Sequence, residues 1–257
     1  MNINKIIDLI EAAAPKELAY PWDNVGLLIG GRDKEVRKIL LTLDTDLYTV
    51  REAINNKCDM IISHHPIMFG GIKRIDFDTS EGEMINLLIK NDIAVYAAHT
   101  NMDAAEAGIN SVLARLFELS DVKVLEECGD LTTGIGRYGN LKNEISFEEL
   151  CSLAKKVLNT PCVRASGDMS KKIKKLAVAS GSCAEYIENA VHAGCDAIIT
   201  GDLKYHETIE GTEKGICIID AGHYPTEVIV KDIFAELLKN TDTELVYSHQ
   251  SDIFKFV

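Results

Sequence analysis

Two adjacent histidines follow a short apolar run in the first third of the chain. His64 and His65 come directly after Asp59–Ile62, whose apolar and β-branched residues predict a buried strand. Neighbouring side chains of a strand point to opposite faces, and Pro66 restrains His65 to an extended conformation. We therefore expect the two imidazoles to diverge and to serve two sites, or two metal ions of one site. For the pair taken alone, a solvent-exposed turn without a ligand is the alternative.

Further side chains with ligand chemistry follow other predicted strands. They are Asp44, His99 and Asp103 in the first half of the chain, and His206, His223 and Glu227 in the second. Ligands of α/β sheets gather at the carboxyl ends of strands, so we expect these groups to belong together. Imidazole and carboxylate together suit zinc, iron, manganese or cobalt. Asp103 or Glu227 could bridge two metals about 3.5–4 Å apart. The alternative is that each histidine is a separate loop residue.

Strands and helices alternate around these groups. Strands are predicted at 39–43, 59–62, 93–98, 176–179, 197–199, 216–219 and 244–247, and helices at 3–14, around 50–54 and 84–88, and at 108–119, 147–158 and 225–238. This alternation predicts an α/β fold. The polar, glycine-rich segment 125–139 is expected to begin a second lobe with short strands and turns.

Two turns have an open interpretation. Trp22, Asp23 and Asn24 precede a predicted strand, and a structural turn is favoured there over direct chemistry. Ser180–Cys183 leads from a strand into a helix, where backbone N–H groups can hold an anion. A plain strand-to-helix turn is the favoured interpretation of this short motif.

The chain resembles itself. Cys58–Ile62 matches Cys195–Ile199, 137 residues further on (195 − 58), whereas His99 and Asp103 match His223 and Glu227 at an offset of 124 (223 − 99). Two matches in the same order indicate an internal duplication. We expect two similar three-layer α/β lobes, at 1–125 and 126–257, with C-terminal elements packing on the first lobe and a metal site in the crevice between the lobes. Gly201 and Asp202 replace the histidine pair in the second lobe.

Composition excludes several classes of protein. The 257 residues are 46% hydrophobic, and 27 basic against 40 acidic residues give a net charge of −13. Such an acidic surface disfavours nucleic-acid binding by charge. The seven scattered cysteines form no C-x-x-C pair and suggest reduced thiols of a cytoplasmic protein. No run approaches the ~18 apolar residues of a membrane span, and acidic residues in the first apolar pattern argue against a signal peptide.

The combined motifs resemble one protein family over nearly the whole chain. They are Trp22–Leu27, Ser63–Pro66, His99–Asp103, Thr200–Asp202 with His206, and Gly222–Tyr224 with Glu227. They are similar to the NGG-one-interacting-factor-three-like family, the homologues of a type-two GTP cyclohydrolase I. The resemblance implies a dinuclear metal centre with one bridging carboxylate, and a toroidal homohexamer. It implies as metal ligands His64, His65, Asp103, His223 and Glu227. The chain is too short for the large inserted domain that some members carry.

Two functions follow as expectations. The first is a metal-dependent hydrolase acting on a nucleotide or related small molecule, with GTP ring opening as the named version. His99 and His206 are its candidate acid–base residues, since His223, the counterpart of His99, is an implied ligand. The second is a non-catalytic metal-binding or scaffold protein, which needs the same ligands but tolerates a closed site.

Overall fold

The computed structural model describes residues 1–128 and 130–256. Its helices and strands alternate as the sequence predicts. In chain order they are α1 (Ile3–Ala13), β1 (Gly26–Ile29), β2 (Lys38–Thr42), α2 (Leu47–Asn55), β3 (Met60–Ser63), α3 (Ser80–Lys90), β4 (Ala94–Ala97), α4 (Thr100–Ala104), α5 (Ile109–Leu116), β5 (Ser120–Cys128), β6 (Asp130–Ser146), α6 (Phe147–Val157), β7 (Arg164–Ser166), β8 (Lys172–Ser182), α7 (Ile187–His192), β9 (Ala197–Gly201), α8 (Tyr205–Glu213), β10 (Cys217–Asp220), α9 (His223–Glu227), α10 (Val230–Leu238) and β11 (Glu244–Tyr247). The fold is α/β with two mixed sheets.

Contacts divide the chain into two compact units. The first unit combines Met1–Met102 with Val230–Ser251, and the second combines Asp103–Ile229 with the residues from Asp252 onward. Thus α5, from the first half of the chain, packs on β8 in the second unit, and α10, from the second half, packs on β2 in the first. The lobe limits 1–125 and 126–257 describe the sequence repeat and stay a prediction.

The first unit is built on a sheet with the strand order β1-β4-β3-β2-β11. Strands β2, β3 and β4 are parallel neighbours, and β1 runs antiparallel to β4. Leu40, Ile61 and Val95 pack with α2 and α3 on one face. On the other face the Tyr96 hydroxyl donates to Glu11 of α1. The parallel strands therefore carry side chains buried on both faces, which is why they appear as continuous apolar runs in the sequence.

The end of the chain's last strand is held to the first unit by Glu52 of α2. Its buried carboxylate accepts hydrogen bonds from the Ser248 hydroxyl at 2.6 Å and from the His249 backbone N–H at 3.0 Å, and it pairs with the His249 ring. Burial raises the pKa of Glu52, but these hydrogen bonds outweigh burial and leave it lowered. Gln250 follows and accepts a hydrogen bond from the Asp44 backbone N–H at 3.1 Å.

The second unit has the strand order β5-β6-β8-β9-β10-β7. Strands β8, β9 and β10 are parallel neighbours, and β7 runs antiparallel to β10. These strands therefore repeat the β2-β3-β4 set and its antiparallel neighbour β1, in the same order. The two His-x-x-x-acid segments follow β4 and β10, which are equivalent strands. This agreement is consistent with the predicted duplication.

Two segments of the second unit differ from the prediction. The polar stretch near 125–139 forms the long antiparallel pair β5 and β6, and most β5 residues are exposed, so their polar character is that of a strand facing water. Ser180–Ser182 belongs to β8 rather than to a plain turn. The pairing with β9 shifts register there and resumes at Ser182, and Gly181 adopts a φ of +67° that favours glycine.

Candidate metal centre

His64 ends the central strand of the first unit and is fully buried. Its Nδ1 lies 2.8 Å from the carbonyl oxygen of Ala98. A carbonyl only accepts, so Nδ1 carries the proton and Nε2 keeps the lone pair that a metal ligand needs. The alternative of a solvent-exposed turn is therefore wrong for His64.

His65 is oriented by a carboxylate. Its Nδ1 lies 2.6 Å from Oδ1 of Asp44, the residue at the end of the neighbouring strand segment. A carboxylate on Nδ1 fixes the ring and makes Nε2 a better ligand, as is common around metal-binding histidines. Asp44 is itself held through its backbone by Gln250, so its position is built into the fold.

His99 follows β4 and is oriented in the same way by Asp23. The two side chains approach to 3.0 Å, and Thr100 donates to the other Asp23 oxygen through its hydroxyl at 2.5 Å and its N–H at 3.0 Å. Burial of Asp23 would raise its pKa, but the hydrogen bonds from His99 and Thr100 outweigh burial and hold it well below its usual range. The motif interpreted as a structural turn therefore supplies a buried anion beside His99.

The three histidines of the first unit form one cluster. Ring centroids lie 5.0 Å apart for His64 and His65, 5.0 Å for His64 and His99, and 5.4 Å for His65 and His99. One ligand atom from each ring lies within 4.8 Å of the others, a spacing that could hold a metal ion. The adjacent rings are tilted by 45° with their centroids 5.0 Å apart, and the expectation that they serve two sites, or two metal ions of one site, stays a prediction.

The second unit carries a comparable pair on α9. His223 Nδ1 lies 2.8 Å from Oδ2 of Asp202, and His223 Nε2 lies 2.9 Å from Oε2 of Glu227. Glu227 is buried one helical turn after His223. A Cβ added at Gly181 would lie 2.0 Å from Glu227 Oε1, so only glycine leaves room for this carboxylate. The register shift in β8 thus lies where the site needs a glycine beside Glu227.

Asp103 is the remaining predicted ligand, and it is also buried in the second unit. The Ser180 hydroxyl donates to Asp103 Oδ1 at 3.2 Å. Asn110 donates to the Asp103 backbone carbonyl at 3.1 Å and accepts from the Ser180 N–H at 2.9 Å. Ser180 and Gly181 therefore position two carboxylates, Asp103 and Glu227.

The match between the two repeats extends to side chains. The positions matching His65 and His99 are Asp202 and His223, and both pairs are in contact. The position matching His64 is Gly201, where an added Cβ would lie 2.7 Å from the backbone of Gly222. The second repeat therefore has no room for a second histidine pair.

His206 has different surroundings. It lies exposed in the first turn of α8, with its ring beside that of Tyr205 at a centroid distance of 5.6 Å. The sequence placed Asp44 among the strand-end groups with ligand chemistry, but it indicated no role in orienting a histidine for Asp23, Asp44 or Asp202. Their common signal was present, since each is an acid in a loop next to a predicted strand.

The fold and these clusters define an α/β protein in which carboxylates orient His65, His99 and His223 and a backbone carbonyl orients His64, in the manner of metal ligands. The chain belongs to the Duf34/NIF3 (NGG1p interacting factor 3) family, whose model matches residues 1–253. A relative from Clostridium perfringens, named GTP cyclohydrolase 1 type 2 homolog, is 37% identical over 262 residues and covers 100% of both chains. One of the same name from Methanocaldococcus jannaschii is 35% identical over 254 residues, covering 96% of this chain and 98% of its own.

Solved structures agree with this assignment. A Bacillus cereus protein related to NIF3 superimposes with a TM-score of 0.92 at 27% identity, covering 100% of this chain and 99% of its own. Reduced HcgD from Methanocaldococcus jannaschii gives 0.85 at 34% identity, covering 96% and 97%. Among the helices of residues 1–128 and 130–256, none has the length and apolar character needed to cross a membrane.

Proposed function

We propose that the protein binds two divalent metal ions and is a metal-dependent hydrolase acting on a nucleotide or a related small molecule. The proposed ligands are His64, His65, Asp103, His223 and Glu227, with one carboxylate bridging. The observation that carries the proposal is the hydrogen bonding of the histidine rings. In His64, His65 and His223 the Nδ1 atom is hydrogen-bonded to a carbonyl or carboxylate oxygen, which makes Nε2 the proposed ligand atom. Nε2 of His223 faces the second proposed ligand of its helix, Glu227, at 2.9 Å.

The donor set fits divalent transition metals. Imidazole nitrogens with carboxylates suit zinc, iron, manganese or cobalt, and buried carboxylates are expected to be paired or to coordinate metal. Asp103 and Glu227 are such buried carboxylates. When bound, ions of this kind supply Lewis acidity, which favours hydrolysis at neutral pH.

The chain's own residues contribute proton transfer and orientation. Asp23 holds Nδ1 of His99, so that Nε2 can accept a proton from the attacking group and return it to the leaving group. Asp44 and Asp202 fix the rings of His65 and His223. The predicted contribution of His206 to proton transfer remains part of the proposal. A homohexamer is proposed from the family resemblance, and its mass in solution would be six times that of one chain.

Turnover decides between a hydrolase and a non-catalytic metal protein. Metal-loaded protein is incubated with GTP, other nucleotides and phosphoesters, with and without chelator, and products are separated by chromatography. We expect turnover that chelator abolishes and added metal restores. His99→Ala should lower kcat by about 10²–10⁴-fold while the protein keeps its metal, and His206→Ala tests the exposed histidine separately. Full metal loading without turnover of any substrate class would instead identify a metal-binding or scaffold protein.

A further inference from the structure

The turn formed by Trp22, Asp23 and Asn24 does more than orient one histidine. Asp23 holds His99, as described above, and the Asn24 side-chain amide donates to the Met68 carbonyl at 2.6 Å. This second bond ties the turn to the loop that carries Phe69. The tryptophan of the same turn is 61% exposed. The proposed metal chemistry uses neither the exposed Trp22 ring nor the hydrogen bond between Asn24 and the loop of Phe69.

Two exposed aromatic rings flank His99 as a result. The Trp22 ring centroid lies 6.0 Å from that of His99 with the planes at 70°, and the Phe69 centroid lies 5.6 Å away with the planes at 79°. Phe69 is 56% exposed. A hydrogen-bonded neighbour holds each ring's position in the chain: Asp23, next to Trp22, accepts from Thr100 and pairs with His99, and Met68, next to Phe69, accepts from Asn24. Large apolar rings that are fixed yet exposed beside polar, chemically capable groups are typical of ligand sites.

We propose that Trp22 and Phe69 form a stacking surface for the planar heteroaromatic ring of a substrate, namely the base of a nucleotide. Stacking on aromatic side chains is available to any base and needs no charge on the protein. Charge is unfavourable here, because the net charge of −13 repels the phosphates of a free nucleotide. Base stacking would supply the affinity that the surface charge does not. The inference rests on the proposed function and specifies its substrate class.

The chain provides its own probe, because Trp22 is its only tryptophan. Metal-free protein is titrated with guanosine, adenosine and GTP while tryptophan emission is recorded. Ribose 5-phosphate and tripolyphosphate are the matched ligands without a base. We expect saturable quenching by the three ligands that carry a base and none by the other two. Quenching by the phosphates alone, or no response to any nucleoside, would overturn the proposal.

Variants assign the binding to the two rings. Phe69→Ala leaves the fluorescent probe in place and should weaken nucleoside binding roughly five- to 150-fold, whereas Phe69→Tyr should retain it. Phe77→Ala is the control, since Phe77 is 60% exposed in the same long loop before α3. Trp22→Ala, measured by calorimetry, should lose affinity similarly. All four keep buried side chains intact, and far-ultraviolet dichroism checks the fold.

Other outcomes are equally informative. Equal losses in Phe69→Ala and Phe77→Ala would overturn the assignment to a ring beside His99. A change in assembly mass for Trp22→Ala, without any nucleoside response in the wild type, would show that a second copy of the chain covers the rings and would also overturn it. Because binding is measured without metal or turnover, nucleoside binding can persist even if the hydrolase proposal fails. If Trp22→Ala and Phe69→Ala turn over substrate with an unchanged KM, the stacking proposal is refuted and the hydrolase proposal stands.

Discussion

Replacing Asp44 by asparagine tests whether a carboxylate prepares His65 for metal binding. Asp44 Oδ1 lies 2.6 Å from His65 Nδ1, and the Asp44 side chain is 45% exposed. Asparagine keeps the size but removes the negative charge that strengthens the hydrogen bond and the basicity of the ring. Loss of such a partner typically lowers metal affinity 10- to 100-fold, or by about 1.4–2.7 kcal/mol. The half-exposed side chain should cost less than about 1 kcal/mol of stability.

The assay is a competition between metal-free protein and a fluorescent zinc chelator, with thermal unfolding of the metal-free protein followed in parallel. Asp92→Asn is the matched control. This variant removes the same charge from the first unit. Asp92 lies just before the start of β4, at the opposite end of the strand from His99, and the Asp92 side chain is 86% exposed. Wild-type affinity is expected for the control. Unchanged metal affinity in Asp44→Asn would show that the carboxylate does not act on metal binding. An equal loss of affinity in both variants would show that it acts only through net charge.

Three further outcomes are expected. Gly181→Ala should destabilise the protein by about 1 kcal/mol or more and weaken metal binding, since its φ of +67° favours glycine and its Cβ would lie 2.0 Å from Glu227 Oε1; a neutral substitution would mean that Glu227 has room to move. Glu52→Ala should lower the free energy of unfolding of metal-free protein by about 3 kcal/mol in urea titrations at pH 7, because it leaves the Ser248 hydroxyl without its acceptor. Since the folded pKa of Glu52 is lowered from 4.5, this difference should be full above that pH and shrink as the pH falls through the folded value, and a constant difference would refute the charged role. Burial raises the pKa of Cys58 to about 11, so peptide mapping should find it unmodified by iodoacetamide at pH 8 in folded protein and modified in urea, and rapid native labelling would contradict its burial.

The parallel strands could be predicted, and the candidate site residues could be selected, because their signals are local. Apolar runs such as that before His64 are long enough to identify buried strands, and polar residues at their ends mark the edge where ligands gather. The duplication added a second test, since one offset aligned β3 with β9 and another aligned His99 with His223. The family resemblance supplied the ligand set.

The remaining features depend on contacts between distant parts of the chain. Asp23 and His99 are 76 positions apart, and no local pattern reports their hydrogen bond. Ser180–Ser182 has the composition of a turn, but pairing with β9 draws it into a strand. The sequence predicts that C-terminal elements pack on the first lobe, but no local pattern within α10 itself indicates its contacts with α1 and β2. Such assignments follow from tertiary packing, which overrides local preference.

Metal stoichiometry tests the central proposal most directly. Protein purified without chelator is reloaded with zinc, iron, manganese or cobalt in turn, passed through a desalting column and measured by elemental analysis against its concentration. For at least one metal, we expect two ions per chain in the wild type and a clear loss in His64→Ala and Glu227→Ala, with the far-ultraviolet dichroism of the variants unchanged. Fewer than one ion per chain with every metal, or variants that bind as much as the wild type, would contradict a dinuclear centre built from these ligands.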